Sequence, residues 1–527
     1  MTGLTLDRRT ALALGLGGGA MLAMPRFALA QDGDAWLDPL VQSFMTRFDV
    51  PGVGVAIVRK DAPPLVRGYG VRTLGKPARV DAHTRFGIAS NSKSFTAAAL
   101  ALLVDAGKVG WDDPVVKFLP DFRMYDPVVT QMMTVRDLLV HRSGLPLGAG
   151  DLMYFPASAR SAADAVKALQ YLKPDKGFRS GYAYDNILYI VAGLLIERVS
   201  GQSWQQFIAT RLLAPLRMAD TVPSLSLLTD TNVAGRHARL GPPVRGIGRQ
   251  VVIAPDETPA IDAAGGINAS VTDIAKWLGV QLNAGVLPDG TPLWSKAQAA
   301  EMWKPQTITG SGTGPTPESP TRGVMQAYAL GWFVQDYRGQ RLISHSGGLS
   351  GQVTQTAMLP GRGLGIAVFT NVEDGVSSAI RNAILDRLID APAFDWVRNY
   401  ADRKAKGDAE ALATVAGGFD TPPPGAPSLP LAAYAGRYRD PWYGDIVVSA
   451  KGSGLSIDFV PTPVFKSVLT PWGTDAFRTR FPAEAGEDAV VRFAVKDGRV
   501  TGVTMTALSP LADFSYDFQH LAFVPVG

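Results

Sequence analysis

Two groups of strand-like sequence lie far apart in this chain, and the stretch between them carries helical patterns. Residues 53–59 (VGVAIVR) and 65–71 (LVRGYGV) read as short strands separated by Asp61, Pro63 and Pro64, a hairpin-like opening. Strand patterns return at 328–336, 340–345, 352–359 and 363–370, each bounded by Gly or Pro, and a helix is expected at about 376–391. Between the two groups, SFTAAALALLVDAG is Ala/Leu-rich, free of Pro and stopped by Gly107, which predicts a helix of about four turns. Further helices are expected at 134–141, 161–172, 186–200 and 270–283. Strands, then helices, then strands point to an α/β sandwich whose sheet combines both ends of the domain, with the helical region inserted.

Beyond this unit the run Thr421-Pro422-Pro423-Pro424-Gly425-Ala426-Pro427, followed by Pro430, has the composition of a stiff extended linker. Residues 431–527 then alternate apolar and polar (DIVVSA, LSIDFV, AVVRFAV, GVTMTA), which predicts a small all-β domain, a barrel or a sandwich. The expected division is a leader at 1–30, an α/β domain at 31–395, a Pro-rich linker at 396–430 and a β domain at 431–527.

The leader resembles a cleavable export signal. Asp7-Arg8-Arg9-Thr10 precedes the apolar run ALALGLGGGAMLAM, and Ala28-Leu29-Ala30 supplies an A-x-A site, which places cleavage after Ala30. The arginine pair resembles the twin-arginine type. Fourteen apolar positions fall short of the ~20 that span a bilayer, so no membrane span is expected once the signal is removed. A periplasmic or secreted location follows.

Composition narrows the chemistry. The 527 residues carry a formal net charge of only +4, without a Lys/Arg block that could follow a nucleic-acid backbone, so nucleic acid is not an expected partner. The absence of cysteine removes disulfides, thiol nucleophiles and Cys-based metal sites. His83, His141, His237, His345 and His520 are too dispersed for an HExxH pair, so a zinc hydrolase is not expected. No motif for another cofactor stands out, and none is expected.

No G-x-S-x-G elbow occurs; Gly348-Leu349-Ser350-Gly351 comes nearest and fails at Gln352. Ser90-Asn91-Ser92-Lys93 is an S-x-x-K, a pattern that chance alone supplies on the order of once in a chain like this. Its setting is more telling, because it joins a strand-like RFGIA to an Ala-rich helix. One helical turn separates Ser90 from Lys93, so both would share a face. A serine needs an adjacent base to become nucleophilic, and lysine serves only when burial or nearby positive charge holds it neutral.

Around this motif, RFGIASNSKSFTAAAL resembles the serine β-lactamase and penicillin-binding-protein superfamily, in its class C-like branch of D-aminopeptidases, esterases and related peptidases. TVRDLLVHRSGLP, the Tyr184-Asp185-Asn186 of YAYDNILYIVAGLLIE, GGINASVTDIAKWL and YALGWFV resemble further segments of that branch, in order, from about 40 to 390. His345-Ser346-Gly347 stands at the third element, where lactamases have K-T-G. The C-terminal region resembles a lipocalin-like extension. The resemblance implies a β-lactamase/transpeptidase-like sandwich, an antiparallel sheet with an inserted helical region, followed by a small β-barrel-like domain.

It also implies roles. Ser90 would be acylated, Lys93 would accept its proton or keep the hydroxyl network polarised, and Tyr184 would shuttle a proton to the leaving group and help activate water in deacylation. Asn186 would bind the amide side of the substrate, together with His345 and Gly347. The backbone N–H groups of Ser90 and Gly348 would form the oxyanion hole. The departure from the lactamase pattern is His345, whose imidazole has an ordinary pKa near 6.5 and is mostly neutral at pH 7. It cannot supply the fixed charge that β-lactams and D-Ala-D-Ala stems require. His141 reads as structural. The expected activity is a peptidase or amidohydrolase for small or non-standard peptides, such as D-residue-containing or linearised cyclic ones. A carboxylesterase is the alternative, and a lactamase, a D,D-peptidase or a slowly deacylating sensor stands further off. The partner is a small molecule or short peptide, and the β domain is expected to tune access without supplying catalytic groups. Oligomeric state is not legible.

Overall fold

The computed structural model describes residues 34–527 apart from 453; the export signal expected at 1–30 lies outside the described residues. An eight-stranded antiparallel sheet forms from β1 (Gly52–Arg59), β2 (Leu65–Gly70), β3 (Thr307–Ser311), β4 (Met325–Tyr328), β5 (Phe333–Tyr337), β6 (Gln340–Leu349), β7 (Gln352–Leu359) and β8 (Leu364–Thr370). Its order is β2-β1-β8-β7-β6-β5-β4-β3, so the N-terminal hairpin completes a sheet made mostly by later sequence.

β1 is buried on both faces, which explains why nearly every one of its positions is apolar or glycine. Val53, Val55 and Ile57 pack with α1 (Leu37–Phe48) and a helix at Val376–Leu388. Ala56 and Val58 face the larger core on the other side, which includes the helices α2 (Ser92–Asp105), Ile187–Ser200 and Val271–Leu282. α2 itself is buried almost all round, as its Ala/Leu composition requires.

Three expectations are corrected. Residues 134–141 form turns instead of a helix. The Asp137 carboxylate accepts from the Thr134 N–H at 3.0 Å and pairs with Arg142 and Arg179, so a side chain takes over backbone bonding that a helix would supply. The strand expected at 328–336 is two strands broken at 329–332. Gly331 has φ +76° there, and a Cβ would lie 2.7 Å from the Lys93 carbonyl oxygen, so the break lets the sheet close on α2. Finally, 396–416 is not extended linker. It is a helix, started by Asp395, which accepts from the Arg398 N–H at 2.9 Å, and seated by Tyr400 against Phe48.

The C-terminal strands, from Gly436–Asp440 to Ala522–Pro525, close into an eight-stranded barrel. Its interior is filled by buried rings, among them Tyr434, Tyr443, Phe459, Phe477 and Phe493. Among the described residues no helix is long and apolar enough to cross a membrane.

Candidate active site

Ser90 lies in a tight turn, Ala89–Asn91, that leads directly into α2. Ala89 has φ +49°, a left-handed conformation uncommon for a residue with a side chain. The turn is held from the sheet. Asn91 Nδ2 donates to Thr354 Oγ1 at 2.9 Å, and Thr356 Oγ1 donates to Asn91 Oδ1 at 2.6 Å. Gly347 stands opposite Thr354 in the β6–β7 register. A Cβ on Gly347 would fall 2.2 Å from the Ile88 carbonyl oxygen, so this glycine lets β6 approach the serine turn. Gly347 thus packs against the serine turn, and its neighbours Ser346 and Gly348 line the pocket.

Lys93 is fully buried one turn beyond Ser90. Its Nζ lies 2.9 Å from Ser90 Oγ, 2.7 Å from Asn186 Oδ1 and 2.9 Å from the Ala264 carbonyl oxygen. Burial pulls its pKa from 10.5 down to about 7, against the opposing charges of Asp151 and Asp185. The Tyr184 ring stands 4.8 Å from Nζ, and Tyr184 lines the same pocket as Ser90. Burial raises the Tyr184 phenol well above its usual range. Ser90, Lys93, Tyr184 and Asn186 are therefore brought together, from α2 and from the start of the Ile187–Ser200 helix.

His345 enters from β6, 2 % exposed. Nδ1 lies 2.6 Å from the Ser346 carbonyl oxygen and must donate to it, which leaves Nε2 to accept from the Tyr328 hydroxyl at 2.8 Å. Burial, and then the charge of Lys93, lower its pKa to about 3. It is a neutral residue whose two ring nitrogens are both occupied by protein. His141 is buried against Tyr184, with ring centroids 4.2 Å apart, and its Nδ1 accepts from the Asp185 N–H at 3.2 Å.

The pocket in front of Ser90 has a volume of about 650 Å³. Tyr184, His345, Ser346 and Gly348 form its inner wall, and a Cβ on Gly348 would meet only open space. Arg245 and Glu373 also line it, joined by two bonds of 2.6 and 2.8 Å. The outer wall comes from the barrel, through Glu487, Asp513, Phe514, Ser515 and Tyr516. Sequence reasoning missed this contribution. It also missed Asp151, whose carboxylate accepts from Asn186 Nδ2 at 3.1 Å and from the barrel's Ser515 hydroxyl at 2.9 Å. Ser515 and Asp151 are 364 residues apart and no motif marks either one.

A serine beside a buried, near-neutral lysine, within a lactamase-type sandwich, defines a serine hydrolase. The chain belongs to the β-lactamase family, whose model matches residues 37–391. A second model, a domain of unknown function (DUF3471), matches residues 420–525. An unguisins hydrolase of Aspergillus campestris is 32% identical over 441 residues, 78% of each chain. In solved structures, an octameric penicillin-binding protein homologue from Pyrococcus abyssi is similar with TM-score 0.58 and 20% identity, covering 93% of this chain and 99% of that one. A D-amino acid amidase from Ochrobactrum anthropi has TM-score 0.57 and 23% identity, covering 68% of this chain and all of its own.

Proposed function

We propose that the protein is an exported hydrolase, directed by a twin-arginine signal cleaved after Ala30, that cleaves small or non-standard peptides through an acyl-enzyme on Ser90. The observation that carries the chemistry is the buried Lys93 Nζ at 2.9 Å from Ser90 Oγ, with its pKa lowered to about 7. As a neutral amine Lys93 accepts the Ser90 proton while Oγ bonds to the substrate carbonyl carbon. The developing oxyanion is met by the backbone N–H groups of Ser90 and Gly348, each donor being worth about 3 kcal/mol in comparable sites. The Tyr184 hydroxyl gives its proton to the departing amine and is reprotonated through Lys93. Water, deprotonated by the same pair, then attacks the ester carbonyl and releases Ser90. Asn186 fixes Lys93 and faces the amide side of the substrate.

Peptide substrates are supported by two relatives, a hydrolase of unguisins and an amidase of D-amino acids. The third element supports a substrate without an obligatory carboxylate, since neutral His345 offers no charge and Arg245 is bonded to Glu373. The domain division proposed is a catalytic unit through about 395 and a barrel from 431. In an intact-mass assay a fluorophosphonate should add once to the wild type and not at all to Ser90→Ala, which should also lose turnover by several orders of magnitude. An adduct on another serine removes the assignment. Paired amide and p-nitrophenyl ester substrates separate the peptidase from the carboxylesterase.

A further inference from the structure

The catalytic lysine is not held by its own domain alone. Its acceptor Asn186 Oδ1 faces Nζ at 2.7 Å because the other end of the amide is tied down: Asn186 Nδ2 donates to both oxygens of Asp151, at 3.3 and 3.1 Å. Asp151 is fully buried and accepts two further bonds, from the Tyr154 hydroxyl at 2.7 Å and from Ser515 Oγ at 2.9 Å. Ser515 belongs to the barrel domain. A continuous line of hydrogen bonds therefore runs from the barrel through Asp151 and Asn186 to Lys93 and Ser90.

We propose that Asp151 is a positioning residue of the catalytic centre, which orients the Asn186 amide toward Lys93 and is itself completed by Ser515 of the C-terminal barrel. The Asn186 amide has one accepting and one donating end, and a partner that offers oxygen on its far side forces the carbonyl toward Nζ. A carboxyl group presents an oxygen on each arm; an amide presents oxygen on one arm and NH₂ on the other. In Asp151→Asn, therefore, the Asn186 side chain can turn its own NH₂ toward Lys93. A donor there destabilises the ammonium and, in the neutral amine, occupies the lone pair needed for the Ser90 proton. Reactivity then falls, and the pH at which Lys93 becomes basic moves down. Loss of the Ser515 hydroxyl loosens Asp151 and acts in the same direction to a smaller extent.

Other titratable groups face this pair from every side. Asp185 and the phenols of Tyr184 and Tyr189 lie on the Ile187–Ser200 side, His141 comes from the 134–146 turns, and His345 from β6. Tyr154 and the barrel's Asp517 complete the shell around Asp151. None of these side-chain groups bonds the Asn186 amide, whose partners are Lys93 and Asp151. Burial, opposed by the donated bonds, raises the Asp151 pKa to about 8. When Asp151 is protonated, the Tyr154 or Ser515 hydroxyl can take up its proton as acceptor, so an oxygen still faces Asn186 Nδ2.

The inference rests on the Ser90–Lys93 reading, and the test separates the two. The rate of fluorophosphonate addition to Ser90 is followed against pH in the full-length wild type and in Asp151→Asn, Ser515→Ala and Ser515→Thr. Wild type that never labels at Ser90 removes the reading itself. If it labels, Asp151→Asn should be slower by about 10- to 100-fold, as for a misplaced catalytic group. Its profile should also move to lower pH by about half a unit or more, as for a lost neighbouring acceptor together with the lost Asp151 charge, a part that Ser515→Ala does not share. Ser515→Ala should lose about 3- to 10-fold with a smaller move the same way, and Ser515→Thr, which keeps the hydroxyl, should restore both. A uniform loss of rate with an unmoved profile in both Asp151→Asn and Ser515→Ala would make the chain merely structural and overturn the inference. Should Asp151→Asn fail to fold, the Ser515 pair decides alone: equal rates and profiles in Ser515→Ala and wild type overturn it.

Discussion

In the proposed mechanism Lys93 must be uncharged to accept a proton, and burial favours that form near neutral pH. With its pKa lowered to about 7, kcat/KM should climb roughly tenfold per pH unit below that point and level off above it. The same shift affects folding. A depressed lysine contributes stability that is fully present above 10.5 and is lost progressively as pH falls from there to about 7. Asp151 and Asp185 act oppositely, because their raised pKa values of about 8 and about 7 make their contribution fade as pH rises. Denaturation of wild type against Lys93→Met isolates the lysine. The difference between them should swing in favour of wild type from about pH 7 to about pH 10, and a difference flat with pH would show that Lys93 is not held neutral. His345 makes a second residue-scale case. His345→Ala leaves the buried Tyr328 hydroxyl without its acceptor and should cost about 1–3 kcal/mol in unfolding experiments. His345→Lys places an ammonium among Tyr184, Tyr328 and Phe333 and should destabilise more. A more stable His345→Lys variant that also gains affinity for free-carboxylate peptides over their amides would show the third element to be an open subsite.

At the scale of elements, the approach of β6 to the serine turn sets the pocket. Gly347→Ala must push the strand from Ile88 or rotate the turn, and it should lower kcat by about 10-fold or more with the sheet intact by circular dichroism. Unchanged turnover would mean that the turn and strand shift freely. This approach is only partly legible in the sequence. Ser90 and Lys93 are readable because their spacing is local and falls at the start of an apolar helix, and the sheet strands because alternation and burial shape them directly. The turns at 134–141 mislead because Val135, Leu138 and Leu139 repeat as on a helix, while the bonds that decide the matter come to Asp137 from Arg142 and Arg179. The break at Gly331 and the tight seat of Gly347 depend on what lies across the gap, Lys93 in one case and Ile88 in the other. No local pattern records such a neighbour.

At the scale of the whole molecule, the barrel is tied to the catalytic domain by several bonds, among them Ser515 to Asp151, the Ala159 N–H to the Pro461 carbonyl at 2.9 Å, and a buried carboxylate. Asp517 accepts the backbone N–H groups of Gly150 at 2.8 Å and Leu152 at 3.1 Å, flanking Asp151, and is steadied by His520 Nδ1 at 3.0 Å. Phe514 packs onto Gly148 in the same contact. The β domain therefore does more than tune access: it supplies part of the pocket wall and satisfies the backbone of a loop in the catalytic domain. Asp517→Ala leaves two buried N–H groups without acceptors, at about 1–3 kcal/mol each. Each kcal/mol lowers the melting temperature by about 4–8 °C for a domain of the barrel's size and by less for the larger catalytic domain. Calorimetry of the full chain should show the drop, together with separation of one melting event into two as the domains uncouple, and small-ester hydrolysis should fall in parallel as Ser515 leaves Asp151. A single unshifted transition with wild-type hydrolysis would mean that the barrel docks through other contacts and that its loop is incidental to the site.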